Sequence, residues 1–268
     1  MSSSPDPAEP MDAAPGTRPV VLAVQNDVTC PVALVGEWLL EDGLDVRTIH
    51  AYAGEQVPST VPDDVHAVIP LGGSPGAHDD DDAPWLPQER ALLRDAVERG
   101  VPVLGLCLGG QLLAAANGGL VTVSDVSEIG VSEVYRTMDG LADPVISAAR
   151  AIDGDSVPAA QWHVDHVAEL PDGAVLLMTN DACRVQAFRL GETAYGLQMH
   201  PEIDLVIYSD WVADTEEEVP LSSVTASESL EVFRSREHDL IAAWRPAVRA
   251  WGELVWLRAR TLATITEP

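Results

Sequence analysis

Apolar positions along the chain fall into short continuous runs that alternate with segments of helical spacing. Residues 20–24 form an apolar run of strand character. Over 31–40, Val32, Leu34, Val35, Trp38 and Leu39 recur at helical intervals, and Gly43 ends the segment. Residues 44–49 alternate like a strand, and 65–71 is another apolar run, closed by Gly72 and Gly73. Residues 85–98 read as an amphipathic helix stopped by Gly100, 101–106 as a β-rich run, and 108–116 as a buried, Ala-rich helix. Strands alternating with helices predict βαβ units and a mostly parallel central sheet flanked by helices.

The pattern changes after Gly118 and Gly119. Segments 120–123, 131–136, 174–179, 185–190 and 194–198 read as shorter strands with little helix between them. They predict a small antiparallel extension of the same sheet. Beyond Glu202 helical spacing returns, in 227–244 and 247–260, with Pro246 as a break. Trp244, Trp251 and Trp256 lie in these segments and read as core. Residues 214–229 are acidic and Ser-rich and read as a loop or lid. The expected organisation is a disordered tail over 1–17, a catalytic domain over 18–210, and an acidic loop with C-terminal helices over 211–268, packed on the domain or on a partner.

Composition narrows the classes. Apolar residues make up 46% of the 268, enough for a real core. No apolar run approaches the roughly 18 residues that span a bilayer, and the N-terminus lacks the pattern of a secretory signal. A cytoplasmic location is expected. The formal charge of −28 argues against a general surface for nucleic acid or anionic membrane. The chain has no Lys, so neither a Walker A phosphate loop nor a pyridoxal Schiff base is present in its usual form. Any ATP-dependent step is expected in another protein. Three cysteines without a Cys-x-x-Cys pair point to neither a disulfide framework nor a structural zinc. Asp79, Asp80, Asp81 and Asp82 read as a solvated loop rather than a metal site.

The strongest local signal is Gly105-Leu106-Cys107-Leu108-Gly109-Gly110-Gln111, where a buried strand meets a helix. A nucleophile there sits on a tight strand-to-helix turn that needs small neighbours, and Gly105 and Gly109 supply them. The helix start favours thiolate and offers N–H groups to an oxyanion. Cysteine is also often a small buried hydrophobe; Cys30 and Cys183, with no such setting, are read that way or as incidental.

This motif resembles the nucleophile segment of class I glutamine amidotransferases, in the GMP-synthase-like branch. Leu71-Gly72-Gly73-Ser74-Pro75-Gly76 resembles the family's oxyanion loop. Glu128-Ile129-Gly130, Gln161-Trp162-His163-Val164-Asp165, Gln186-Ala187-Phe188 and Gly196-Leu197-Gln198-Met199-His200-Pro201-Glu202 follow in the family's order. Val131 and Met199 stand where the family often has aromatics, both apolar replacements. The resemblance implies a flavodoxin-like fold and a Cys107, His200, Glu202 triad. An imidazole takes the thiol proton and returns it to the leaving amine, and a carboxylate fixes its tautomer. It further implies oxyanion contacts from Gly73 and Leu108, substrate and packing contacts from Gln111, space beside the thioester at Gly109, and a place for His163 at the substrate side, or a structural one. No metal or cofactor is needed.

Three functions fit the sequence. One is a glutaminase that passes ammonia to a separate ATP-dependent synthetase. Another is a stand-alone γ-glutamyl hydrolase or peptidase. The third is a non-catalytic binding module, against which the intact triad counts.

Overall fold

The computed structural model describes residues 18–152, 154–215, 222 and 224–266. The expected N-terminal tail, and much of the expected acidic loop, lie outside them. Strands β1 (Val20–Gln25), β2 (Asp45–His50), β3 (Ala67–Pro70), β4 (Val103–Leu106), β5 (Leu120–Arg136), β6 (Ser156–Glu169), β7 (Val175–Thr179), β8 (Ala187–Leu190) and β9 (Ala194–Leu197) join in one sheet of order β2-β1-β3-β4-β9-β8-β7-β5-β6. The β2-β1-β3-β4-β9 part is parallel. The β9-β8-β7-β5-β6 part is antiparallel. The mostly parallel centre with an antiparallel extension is the architecture expected.

The inner strands are apolar on both faces because both are covered by helices. Val21, Ala23, Ala67, Ile69, Leu104 and Leu106 face the layer of α1 (Ala33–Glu41) and α6 (Ala226–Thr266). Leu22, Val24, Val68 and Val103 face α2 (Leu86–Glu98) and α3 (Leu108–Ala116). Successive strand residues thus feed opposite cores, the period-two geometry of a strand. A third cluster joins Tyr208 and Trp211 of α5 (Leu205–Ala213) to Phe233 and Leu240 of α6. A short α4 (Met138–Ala142) follows β5.

Three elements differ from the sequence pattern. Segments 120–123 and 131–136 belong to one 17-residue strand, β5, whose ladder to β6 shifts register between Val123 and Glu128. β6 has no counterpart in the expected strands. It buries Gln161 and His163 along with its apolar residues, and that erases the alternation that marks a strand. α6 runs through Pro246 without ending. Proline removes one ladder donor, but Trp244, Ala247, Val248 and Trp251 around it are all buried on the sheet, and packing outweighs the local cost. Trp256 packs partly buried against the same cluster.

The loops after β1, β3, β4 and β9 leave the same edge of the sheet, because those strands are parallel neighbours in the order β1-β3-β4-β9. That edge, outside the carboxyl ends of the strands, is where open α/β sheets form binding crevices. No helix among the described residues is long and apolar enough to cross a membrane.

Candidate active site

Cys107 occupies the turn between β4 and α3 with φ 50° and ψ −110°, a left-handed backbone that L side chains rarely adopt. The turn is clamped from both sides. The Cys107 N–H donates to the Leu197 carbonyl at 2.8 Å, and its own carbonyl accepts the Gln111 N–H at 3.0 Å. The glycines around it are enforced by space. A Cβ on Gly105 would lie 2.6 Å from the Gly109 carbonyl oxygen, one on Gly109 1.9 Å from that of Pro70, and one on Gly110 2.9 Å from that of Leu197. These contacts let α3 start directly against the ends of β3 and β9, and the first amides of the helix have no partner within it.

His200 follows β9. Its backbone N–H donates to the Ala160 carbonyl at 2.9 Å, and its Nδ1 lies 2.7 Å from Glu202 Oε1. Both side chains are buried. The imidazole and the Cys107 thiol line the same cleft. Burial works against a charged ring, but the Glu202 and Cys107 charges outweigh it and raise the His200 pKa above its ordinary value. The Trp211 indole closes one side of the ring, centroid to centroid at 4.9 Å and 70°, and is itself tied by Nε1 to the Thr29 carbonyl at 2.9 Å.

Gly73, in the loop after β3, lines the same cleft as Cys107. It leaves little room for a side chain: a Cβ would stand 3.0 Å from Asn26 Cβ and 3.3 Å from Leu108 Cδ2. The loop is held from below. Asp27 takes the Ser74 hydroxyl at 2.5 Å and N–H at 3.3 Å. Burial opposes the Asp27 charge, yet the Ser74 and Thr29 donors prevail and hold its carboxyl below the usual range.

Gln111 is buried one turn into α3. Its Nε2 donates to the Asp165 carbonyl at 2.8 Å and to Gln198 Oε1 at 3.3 Å, while Gln198 Nε2 reaches Cys107 Sγ at 3.7 Å. His163 lines the same cleft, but both ring nitrogens are engaged, by the Asp165 carbonyl at 3.1 Å and Glu128 Oε2 at 3.2 Å. Burial opposes the Glu128 charge. His163, Asn180 and Gln186 overcome it and keep the carboxyl below its ordinary pKa. The structure therefore gives His163 a supporting geometry within a buried polar network.

All eight residues singled out in the sequence thus meet around one edge of the sheet. Cys107, Leu108, Gly73, Gln111, His163 and His200 line a cleft of about 700 Å³, with Glu202 behind His200 and Gly109 beneath the turn. Cys30 also lines it, which its sequence setting gave no reason to expect. Burial, with the Asp27, Glu202 and Cys107 charges adding, pushes its thiol pKa well up. Cys183 is buried and donates to the Val185 carbonyl. In the acidic run, Asp79 accepts the Gly76 N–H and Asp80 pairs with Arg90.

The glutamine amidotransferase class-I family model matches residues 42–209. The chain belongs to the class-I glutamine amidotransferase family. Within it, the GMP synthase [glutamine-hydrolyzing] of Clostridium novyi is 35% identical over 118 residues, covering 43% of this chain and 21% of that protein. The GMP synthase [glutamine-hydrolyzing] of Corynebacterium jeikeium is 33% identical over 167 residues, 59% of this chain and 28% of that protein. The glutamine amidotransferase-like protein YfeJ of Salmonella typhimurium is 28% identical over 186 residues, 68% of this chain and 75% of its own length. The chain thus spans less than a third of the length of these two GMP synthases. Among solved structures, a glutamine amidotransferase of Thermotoga maritima superposes with TM-score 0.74 over 88% of this chain and 99% of its own, at 24% identity, and shares the fold. One from Methylobacillus flagellatus gives 0.72 over 92% and 95%, at 27% identity.

Sequence reasoning passed over Trp211, which lines the cleft, and the side chains of Gln198 and Asn26, which contact its residues Cys107 and Gly73. Gln198 carried a signal, a polar residue ending an apolar strand two positions before the histidine. Asn26 follows β1 in the same way. Trp211 lies 11 residues beyond His200, and no local pattern marks it.

Proposed function

We propose that this chain hydrolyses the side-chain amide of glutamine through a γ-glutamyl thioester on Cys107 and delivers the ammonia to a separate ATP-dependent synthetase. The observation that carries the reading is the convergence, in one cleft, of a strained cysteine turn, a buried His200–Glu202 pair and the Gly73 loop. Cys107 gives its proton to His200, and the sulfur attacks the amide carbon. The oxyanion is received by the N–H groups of Gly73 and Leu108. As the C–N bond breaks, His200 returns the proton to the nitrogen and ammonia leaves. Water, deprotonated by His200, then attacks the thioester; glutamate departs and the thiol is restored. Glu202 holds the imidazole by Nδ1, so that Nε2 is the nitrogen that exchanges the proton.

A second reading is a stand-alone hydrolase of larger γ-glutamyl amides or peptides. The width of the cleft favours it, because Trp162, Val164, Asp165 and Asp214 line space beyond the immediate surroundings of the thiol. The purified protein, given glutamine and then a panel of γ-glutamyl amides and peptides, separates the two. Vigorous release of glutamate from one bulky amide, with glutamine a poor substrate, supports the hydrolase. Slow turnover of glutamine that rises when a synthetase is added supports the ammonia donor. Absence of glutamate release from every compound, together with no modification of Cys107 by a glutamine-analogue electrophile, contradicts both.

Glu202→Gln is expected to lower kcat by at least about 10²-fold, since the neutral amide no longer stabilises the imidazolium or fixes its tautomer. The Glu202 charge raises the His200 pKa. Its removal lowers that pKa, and the alkaline limb of the pH–rate profile moves to lower pH. In the wild type the His200 contribution to stability is fully present below its unfolded value of 6.5 and is lost as pH rises through the higher folded value. The variant should lose much of that dependence. An unshifted pH–rate limb in Glu202→Gln would assign the orienting role to another group.

A further inference from the structure

Glu89 stands in the first turn of α2 and is wholly buried. Its Oε1 accepts Asn26 Nδ2 at 3.2 Å, while Oε2 has no hydrogen-bond partner among the described residues. A carboxyl so placed is costly, and the mechanism above makes no use of it. What it touches is informative. Asn26 is also buried, and every polar position of its amide is spoken for. Nδ2 donates to Glu89 Oε1 and to the Leu71 carbonyl at 3.0 Å, and Oδ1 accepts Trp85 Nε1 at 2.8 Å. The amide has one satisfied orientation, because turning it over would set its oxygen against two acceptors and its nitrogen against an indole N–H.

Leu71 opens the loop that carries Gly73, and the Gly73 backbone packs on the β-carbon of the same Asn26. Asn26 therefore grips the loop twice, by hydrogen bond at its first residue and by contact at Gly73. Leu108, the other proposed oxyanion donor, packs beside Asn26 against Gly73, its Cδ2 3.3 Å from where a Gly73 Cβ would stand. A rotation of the Asn26 amide would free the Leu71 carbonyl and let the Gly73 N–H drift from Leu108.

Resting on the glutaminase chemistry proposed above, we infer that Glu89 is a positioning residue for the oxyanion loop, acting through the Asn26 amide. Its acceptor oxygen selects the amide orientation that holds Leu71 and Gly73 in place. Burial pushes the Glu89 carboxyl up to about 8, with the Asn26 hydrogen bond and the Arg90 charge opposing that rise. The group is then neutral at ordinary pH, which spares the fold a buried unpaired charge and leaves an acceptor that glutamine can reproduce.

The test measures p-nitroaniline release from γ-glutamyl-p-nitroanilide and, separately, alkylation of Cys107 by iodoacetamide, which forms no oxyanion. Asn26→Ala and Glu89→Leu should each lower kcat by about tenfold or more, less than the loss of an oxyanion donor outright. KM and the alkylation rate should stay within about twofold, since an interaction made only in the transition state is lost. The double variant should be no slower than Asn26→Ala alone, because the two residues act in series. Glu89→Gln should keep kcat within about threefold of wild type. Its Tm should also lose the decline that a carboxyl raised from 4.5 to about 8 imposes as pH rises through that window. If Glu89→Leu does not fold, Asn26→Ala and Glu89→Gln decide the matter. An unchanged kcat in Asn26→Ala, additive losses in the double variant, or equal losses in alkylation and kcat would overturn the inference while leaving the triad chemistry intact. A wild type that releases no p-nitroaniline removes the chemistry itself, and the inference with it.

Discussion

Cys107→Ala is expected to reduce glutamate release by about 10⁴-fold or more, the scale seen when a covalent nucleophile is removed from a preorganised site. The protein should remain folded, because the turn is held by the Cys107 backbone, through Leu197 and Gln111, rather than by its side chain. A finer expectation follows from the backbone at φ 50° and ψ −110°. A non-glycine residue held there stores roughly 1–3 kcal/mol. Cys107→Ala keeps that strain, whereas Cys107→Gly releases it. The glycine variant loses up to about 1 kcal/mol of this gain through the extra freedom of its unfolded chain. On balance it should be about 1 kcal/mol more stable to denaturant than the alanine variant, with both inactive. Full activity in either variant would move the nucleophile elsewhere. A glycine variant less stable than the alanine one would mean that the turn is unstrained.

Gly109→Ala should be the most damaging single-methyl change near the site. The added carbon would lie 1.9 Å from the Pro70 carbonyl oxygen, and both partners are backbone. Neither can rotate aside, so α3 must lift from the end of β3. Such overpacking is expected to cost about 3 kcal/mol or more, a fall in Tm of roughly 6–12 °C for a chain of this size. Activity should drop more steeply than stability, because the same displacement carries the Leu108 N–H away from Gly73. Circular dichroism melts and kinetics on the soluble variant check both statements. A Tm within about 2 °C of wild type, the scale of ordinary surface substitutions, would mean that the helix start yields without cost.

The parts of the molecule legible in the sequence are those where local pattern and tertiary role coincide. The run into Cys107 is apolar because β4 is covered on both faces, and the glycines beside it are there because backbone meets backbone. Both facts leave marks in a few adjacent residues. His200 and Glu202 are two apart and follow an apolar strand, so they too could be found locally. β6 and the middle of β5 were harder to see because Gln161, His163 and Glu128 are polar yet buried. They pair with one another and with Gln186 and Asn180 through hydrogen bonds between residues distant in sequence. Asn26 and Glu89 stayed hidden for the same reason: 63 residues separate them, and a polar side chain in sequence looks like a surface one. Pro246 misled in the opposite direction. It is a strong local breaker, overruled by the tryptophan-rich face that α6 lays on the sheet.

The central claim is a γ-glutamyl thioester on Cys107, and acid quenching during turnover tests it most directly. The protein is mixed with glutamine, or with γ-glutamyl-p-nitroanilide to speed acylation, quenched in acid, digested and examined by mass spectrometry. The expected result is a γ-glutamyl adduct on the peptide that contains Cys107, discharged by hydroxylamine, absent in Cys107→Ala and accumulating in variants that slow deacylation. Cys107-independent turnover, or an adduct on Cys30 or Cys183 with Cys107 unmodified, would contradict it.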